Sequence, residues 1–193
     1  MKASQILLFI VLAIVVLALA GGGCVYSGYN RVIGMDEQVK NSWAQVETQL
    51  QRRYDLIPNI VATVKGTAAQ EKSVLLGIAE ARKGYMNANT VAEKAQAASQ
   101  VEASLAKVLL LQEAYPDLKS NQAFLKLQDQ LEGTENRVSV ERERYNEAVR
   151  ALNTMVRQFP GSFFASLAGV KEAEYFKVAE AAKEPPKVDF STK

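Results

Sequence analysis

The sequence predicts an all-α protein, in which an N-terminal transmembrane or signal-anchor helix precedes an antiparallel, up-and-down bundle of four long helices. Ala, Glu, Gln, Lys, Leu and Arg dominate the chain, and glycine and proline are sparse after residue 34. That composition is typical of long helices. A long uncharged apolar run opens the chain. From Val32 on, apolar residues recur every three or four positions, which is the period of a helix that buries one face.

The first element, predicted over residues 1–28, is a membrane segment. No residue from Ala3 to Asn30 is charged, and the apolar centre runs from Ile6 to Ala20. With the glycines that follow and Val25 included, the run reaches the roughly 20 residues that a bilayer core requires. A buried core helix is a poor alternative because the run is apolar on every face.

Three fates of this segment remain open. It stays as a single-pass anchor, or it is a lipoprotein-type signal whose Cys24 is acylated after cleavage, or cleavage after Ala20 releases a soluble protein. The stretch GGGC has the small residues of a lipoprotein site, although Gly21 stands where leucine is usual. The first two fates tether the domain to a membrane. The order of a short positive start, an apolar run and small residues predicts a domain outside the cytoplasm, on the periplasmic side.

Residues 29–176 form the predicted bundle. Its first apolar stripe keeps its phase past Pro58, so we predict one helix from about Asp36 to Lys83 that kinks there, because proline lacks an N–H and crowds the preceding turn. A hairpin at Pro58 is the alternative, since proline also suits the first turn of a new helix. Trp43 lies on the stripe and is predicted to be core.

Two further long helices are predicted, one at Val91 to Glu113 and one from about Gln122 to Gln158. The stretch YPDLKSN between them is a loop, in which Asn121 or Ser120 caps the next helix. Short loops predict that sequential helices pack antiparallel. The apolar stretch SFFASLAG then folds back over one end of the bundle or, alternatively, forms a contact surface. Residues 177–193 make an extended tail.

Composition excludes most catalytic chemistry. The chain has no histidine, and Cys24 is its one cysteine, which excludes Ser-His-Asp and Cys-His pairs, His-ligated zinc, thiolate clusters and an internal disulfide. We therefore predict no enzyme, with no catalytic residue, cofactor or metal. Net charge is +2 with both signs interspersed, so there is no basic face to predict nucleic acid binding.

Six polar residues lie at or near gaps in the apolar stripes of the first and third long helices. They are Arg52, Arg53, Asp55, Glu135, Asn136 and Glu141. One interpretation is a structural polar layer inside the bundle that fixes helix register. The second is that these charges are solvated at the flanks of the stripes. A third, catalysis by the same charges, lacks a nucleophile.

The same region carries a family resemblance. Four stretches resemble the signature of the LemA family of bacterial membrane proteins: SWAQVETQLQRRYDLIPNIVATVKG, YPDLKSNQAFLKLQDQLEGTENRVSVERERYNEAVRALNT, FPGSFFA and YFKVAEAAKEPPKVDF. The match runs from about Tyr29 to Phe190. It implies an N-terminal membrane segment followed by an antiparallel bundle, usually of four helices, and no established enzymatic activity. Gln70 stands where the family pattern often has a histidine, which weakens any chemistry assigned there.

These features predict a non-enzymatic, membrane-tethered helical module of the bacterial envelope that binds protein partners or organises a membrane site. The alternative is a module that binds an envelope ligand or polymer, with Arg52, Arg53 and Asp55 as recognition groups. A hydrolase that uses paired carboxylates is the third hypothesis. The expected partners are the membrane, unidentified proteins and, as an option, further copies of the chain, but no nucleic acid.

Overall fold

The computed structural model describes residues 3–177, with side chains from residue 11 onward. The predicted tail beyond Lys177 lies outside the described residues. Every regular element in the described part is a helix, which confirms the all-α prediction with its long helices. These elements are α1 (Ala3–Tyr54), α2 (Ile57–Thr67), α3 (Lys72–Asn87), α4 (Val91–Ala114), α5 (Pro116–Lys119), α6 (Gln122–Arg157) and α7 (Gly161–Ala168).

The chain divides into two compact units. The first unit comprises the chain up to Asn41 together with Glu147–Ala173, and the second comprises Ser42–Asn146 together with the described residues from Glu174 onward. Helices α1 and α6 therefore contribute residues to both units. Helices α2 to α5 belong to the second unit alone, and α7 belongs to the first.

Helix α1 begins with an apolar segment that the protein itself does not cover. The side chains of residues 11–27 are all exposed, and Leu17 and Leu19 are 71% and 72% exposed. Within the described residues, this is the one helix long and apolar enough to cross a membrane. Apolar side chains on all sides of a helix are stable in a lipid environment, so the N-terminal helix associates the protein with a membrane.

The helix bends at Pro58, as the sequence predicts. Helix α1 ends at Tyr54, and α2 begins at Ile57 with the proline in its first turn. Leu56, between them, keeps right-handed helical angles of φ −78° and ψ −22°. The N–H of Ile60 donates to the Leu56 carbonyl at 3.0 Å. Helical geometry thus continues across the break, and the chain kinks instead of turning back.

A second break makes the prediction of one helix from Asp36 to Lys83 wrong. Helix α2 ends at Thr67, and α3 begins only at Lys72. Ala68 leaves the helical region with φ −126° and ψ 54°, and its side chain is buried. Gly66 and Thr67 are poor helix formers directly before this point, so the local preference for helix is weak where α2 ends.

The two connections around α4 are fixed by caps. Thr90 Oγ1 accepts from the N–H of Glu93 and the Glu93 carboxylate accepts from the N–H of Thr90, both at 3.1 Å. Asn121 Oδ1 accepts from the N–H groups of Ala123 and Phe124, at 2.9 and 3.2 Å. Asn121, rather than Ser120, is therefore the cap of α6. The predicted loop before it contains the single turn α5.

Trp43 packs against two aromatic rings but is not fully buried. Its ring centroid lies 5.2 Å from that of Tyr145 and 6.0 Å from that of Phe176, and its side chain is only partly covered. The prediction that Trp43 is core was wrong in degree. Its neighbours Val46 and Leu50 on the same stripe are fully buried.

The stretch SFFASLAG forms α7, which packs in the first unit. Phe164 and Ala165 form a buried cluster with Val32 of α1. The helix ends at Gly169, which adopts φ 68°, a left-handed conformation that glycine allows at little cost. Part of the stretch thus folds back onto the protein, as predicted, whereas Phe163 and Leu167 remain exposed.

Candidate functional site

The most unusual polar feature of the second unit is a buried guanidinium on the last turn of α1. The side chain of Arg53 is 9% exposed. Its Nη1 donates to a carboxylate oxygen of Glu135 on α6 and to Oε1 of Glu102 on α4, at 3.4 Å. Residues from three helices therefore meet at one cation, which we call the Arg53 cluster: Arg53, Glu102 and Glu135.

Burial and charge act on this cation in opposite directions. Burial lowers the pKa of the Arg53 guanidinium, and the negative charge of Glu102 opposes that effect. The guanidinium still stays charged, because an arginine is not deprotonated in proteins. Its Nε is a buried donor without a hydrogen-bond partner among the residues that the structure describes. Since the two carboxylates are only partly buried, at 27% and 41% exposed, water shares in their solvation.

The structure brings together two of the six predicted polar residues, Arg53 and Glu135. Arg52, Asp55 and Asn136 are exposed. These five residues are therefore divided between one ion pair, of a buried arginine with a partly buried glutamate, and three exposed side chains.

Glu141, the sixth residue, pairs with Arg144 one turn further along α6 at 2.8 Å. The partner of Arg53 that the sequence did not indicate is Glu102. It follows Val101 on α4 and precedes Leu105 by three residues, so it lies at the flank of a stripe where an acid is unremarkable.

A second arginine, Arg82, contacts the backbone where the helix is broken before Pro58. Proline has no N–H to donate to the carbonyl of Tyr54, four residues earlier. Instead, Nε of Arg82 on α3 donates to the Tyr54 carbonyl at 3.3 Å. A nitrogen of the same guanidinium lies 3.9 Å from the carboxylate of Asp55. Arg82 thus supplies the hydrogen bond that the proline removes, and no local sequence pattern indicated it.

The Arg53 cluster lines a groove of about 370 Å³ on the second unit. The other lining residues are Leu105, Ala106, Leu109, Leu131, Glu132 and Asn136. Three carboxylates and one guanidinium line the groove, so it is acidic and suits a donor or cationic group. Its lining contains no hydroxyl, thiol or imidazole, which are the usual protein nucleophiles and bases.

A second groove of the same unit, about 560 Å³ in volume, is lined in part by Arg52, Tyr85 and Lys94. Lys94 pairs with Glu47, and its Nζ lies 5.9 Å from the ring centroid of Trp43. Burial, together with the charge of Glu47, raises the pKa of Tyr85 to about 12. Arg52 and Arg53, adjacent in sequence, therefore line different grooves.

Two asparagines of α6 hold the chain after α7. The side chain of Asn153 donates to the carbonyl of Ala173 at 2.9 Å and accepts from its N–H at 2.8 Å. Asn146 does the same with Phe176, at 3.1 and 2.9 Å. These side chains satisfy backbone groups that the irregular segment cannot pair within itself.

Metal binding has no support among the residues that the structure describes, where no group of three acidic, histidine or cysteine side chains is placed to hold an ion. Cys24 is exposed on the apolar segment of α1. Its lipidation stays a prediction.

Comparison with known proteins identifies the chain's relatives. The model of the LemA family matches residues 42–190. The chain is 24% identical over 183 residues to magnetosome protein MamQ 2 of Paramagnetospirillum magneticum. The alignment covers 81% of this chain and 67% of that protein. Magnetosome protein MamQ of Magnetospirillum gryphiswaldense is 23% identical over 183 residues, with the same two shares.

Proposed function

The chain belongs to the LemA family, and on this basis we propose that it is a non-enzymatic, membrane-tethered helical module that binds protein partners or organises a membrane site. One observation carries the proposal. In the first unit, the exposed apolar segment and the packed residue Val32 belong to a single uninterrupted helix, α1. No flexible linker separates the tether from the fold.

Two further observations support a binding role over catalysis. Both grooves of the second unit are open and are lined mainly by charged, amide and apolar side chains. Two hydroxyls line the larger groove: that of Thr48 donates to a carbonyl of its own helix, and burial raises the pKa of the Tyr85 phenol. In addition, the names of the curated relatives refer to the magnetosome and to no reaction. A binding module needs a surface with charge and shape, and both grooves offer one.

Photo-crosslinking in intact cells tests the proposal. In two variants of the full chain, a benzophenone amino acid replaces Arg52, in the second groove, or Asn136, beside the Arg53 cluster. Arg150, exposed on α6, is the matched control. We expect a discrete crosslinked protein from at least one groove position in the membrane fraction, and none from the control. A chain found in the soluble fraction, or grooves that crosslink no more than Arg150, would refute the proposal.

A ligand-binding module is the second candidate, favoured by the groove that combines Arg52, Lys94 and the ring of Tyr85. Arg53 is not available as a recognition group because its carboxylate partners occupy it. Native mass spectrometry of the purified full chain discriminates the two candidates. A bound small molecule that is lost on Arg52→Ala favours this candidate over protein binding.

We place the domain outside the cytoplasm within this proposal. The positive charges on the two sides of the segment are nearly balanced, Lys2 before it and Arg31 and Lys40 after it, so they do not decide the orientation. In a Cys24→Ser background, Lys126→Cys puts a single thiol on the exposed face of α6. A membrane-impermeant maleimide should label it in cells whose outer envelope has been permeabilised. Labelling only after lysis of the inner membrane reverses the orientation.

A further inference from the structure

We propose that an apolar surface of the first unit lies in the interfacial layer of the membrane that α1 enters, and binds lipid there. This surface, the α7 face, consists of Phe163 and Leu167 on α7 and Phe159 just before it. The inference deepens the proposed function and rests on the anchoring of α1 in a bilayer.

The α7 face is exposed in the protein. Phe159 is 87% exposed, and Phe163 and Leu167 are 55% and 56% exposed. Phe163 and Leu167 are four residues apart in a helix, so their side chains share one face. The stretch from Gln158 to Val170 has no charged residue. An apolar patch of this kind on a soluble surface marks a site for a membrane or a protein.

The position of α7 along α1 is fixed by close packing. Phe164, next to the exposed face, is buried, and its ring lies against Gly28 of α1. A side chain at position 28 would overlap that ring. Val32, one turn further along α1, belongs to the same buried cluster as Phe164 and Ala165. Helix α7 is therefore attached to α1 between residues 28 and 32.

That position coincides with the membrane boundary. The uncharged stretch runs from position 3 through position 30, which at 1.5 Å per residue gives about 42 Å. A bilayer with its headgroups is about 40–45 Å thick, and its hydrocarbon core of about 30 Å takes the central 20 residues or so, from about position 7 to position 26. Gly28 then lies about 3 Å beyond the core, at the depth where an interfacial helix binds.

The surroundings of the α7 face favour lipid over a protein occupant. Tyr26 and Tyr29, at the same level of α1, are 72% and 37% exposed, and tyrosine is enriched where a membrane meets water. Two cations lie next to these apolar segments in sequence: Arg31 follows the uncharged stretch of α1, and Lys171 follows the uncharged stretch that contains α7. Phosphate headgroups attract such cations. A second copy of the chain or another protein is the competing occupant.

Fluorescence quenching by brominated lipids measures the depth of the α7 face. The full chain, with native Trp43 replaced by Phe, carries one new tryptophan and is reconstituted into phosphatidylcholine vesicles with bromines at acyl carbons 6 and 7. The test variant is Phe163→Trp. Val25→Trp, in the apolar segment, is the positive control. Asn41→Trp is the negative control, because position 41 lies about 20 Å beyond Gly28 along α1.

We expect Phe163→Trp to be quenched at least about half as strongly as Val25→Trp, because an interfacial helix lies about 5–10 Å into the headgroup–acyl boundary. Asn41→Trp should keep its emission. Leu167→Trp gives a second reading from the same face and replaces Phe163→Trp if circular dichroism shows that variant to be misfolded.

The outcomes separate this inference from the function on which it rests. If Val25→Trp is quenched but Phe163→Trp and Leu167→Trp are quenched no more than Asn41→Trp, the lipid assignment is overturned. A blue-shifted but unquenched tryptophan at position 163 would then indicate a protein occupant, such as a second copy. If Val25→Trp itself is not quenched, the tether fails, and this inference fails with it.

Discussion

The two units of the protein hold their helices together by opposite means. In the first, a glycine lets an aromatic ring lie directly on a neighbouring helix: Phe164 on Gly28. In the second, a buried guanidinium joins three helices through Glu102 and Glu135. The apolar contact is specified by the absence of a side chain, and the polar contact by charge. The contact at Gly28 should therefore be disrupted when atoms are added there, and the Arg53 cluster should be disrupted when the arginine side chain is removed.

Removal of the buried charge should have the largest effect. Arg53→Ala leaves two carboxylates facing a cavity without a cation, and we expect it to lower the free energy of unfolding by about 3 kcal/mol. The measurement is chemical unfolding of the full chain in mild detergent. Glu135→Ala in the Arg53→Ala background should recover part of the loss. If the losses of the two single variants simply add, Arg53 and Glu135 are not energetically coupled.

Addition of atoms to the apolar contact should have the next largest effect. Gly28→Leu forces the ring of Phe164 away from α1, and overpacking of this kind costs about 1–3 kcal/mol. Gly34→Leu is the matched control, since nothing lies near a side chain at that position of the same helix, and leucine is the better helix former. Thermal unfolding of both variants in detergent should shift in opposite directions. A stable Gly28→Leu variant contradicts the close packing of α7.

A third variant tests the arginine that compensates for proline. Arg82→Met removes the donor to the Tyr54 carbonyl, and loss of that hydrogen bond should cost about 1 kcal/mol. In a Pro58→Ala background, the restored N–H can donate to the same carbonyl, so Arg82→Met should cost less there. Equal costs in the two backgrounds, measured by chemical unfolding, would show that Arg82 does not substitute for the missing N–H.

The smallest effect should come from an ion pair whose cation is exposed. Glu141→Gln breaks the contact with Arg144, whose side chain is 65% exposed, and a pair with a solvated partner of this kind contributes about 0.5 kcal/mol or less. The comparison with Arg53→Ala separates a pair whose cation is solvated from one whose cation is buried. A loss as large as that of Arg53→Ala would mean that Glu141 belongs to a buried polar layer after all.

The sequence predicts what depends on neighbours along the chain. The stripe that buries Val46 and Leu50, the cap at Asn121 and the kink at Pro58 all follow from local spacing and backbone chemistry, and all three are confirmed. The end of α2 at Thr67 was missed because the apolar stripe runs on through Ala68 and Leu75, although Gly66 and Thr67 lower the local preference for helix.

The candidate site was harder to predict because it depends on contacts between distant residues. The sequence indicated Arg53 and Glu135 because they interrupt the apolar stripes of two helices. It gave no indication of Glu102 or Arg82, since a charge at the flank of a stripe is normal. Their partners lie 49 and 28 residues away along the chain. Which flanking charge turns inward is set by how the helices are rotated against each other, and that rotation is not encoded in any single segment.

The asparagine contacts of α6 have a consequence for how the protein is made. Phe176, held by Asn146 and packed on Trp43, is among the last of the described residues to be synthesised. A chain that has emerged only as far as α6 lacks this cover, so Trp43 is more exposed in it than in the complete fold. Because the N-terminal part of a chain emerges and folds first, the second unit gains this cover only after the helices that it joins have been made.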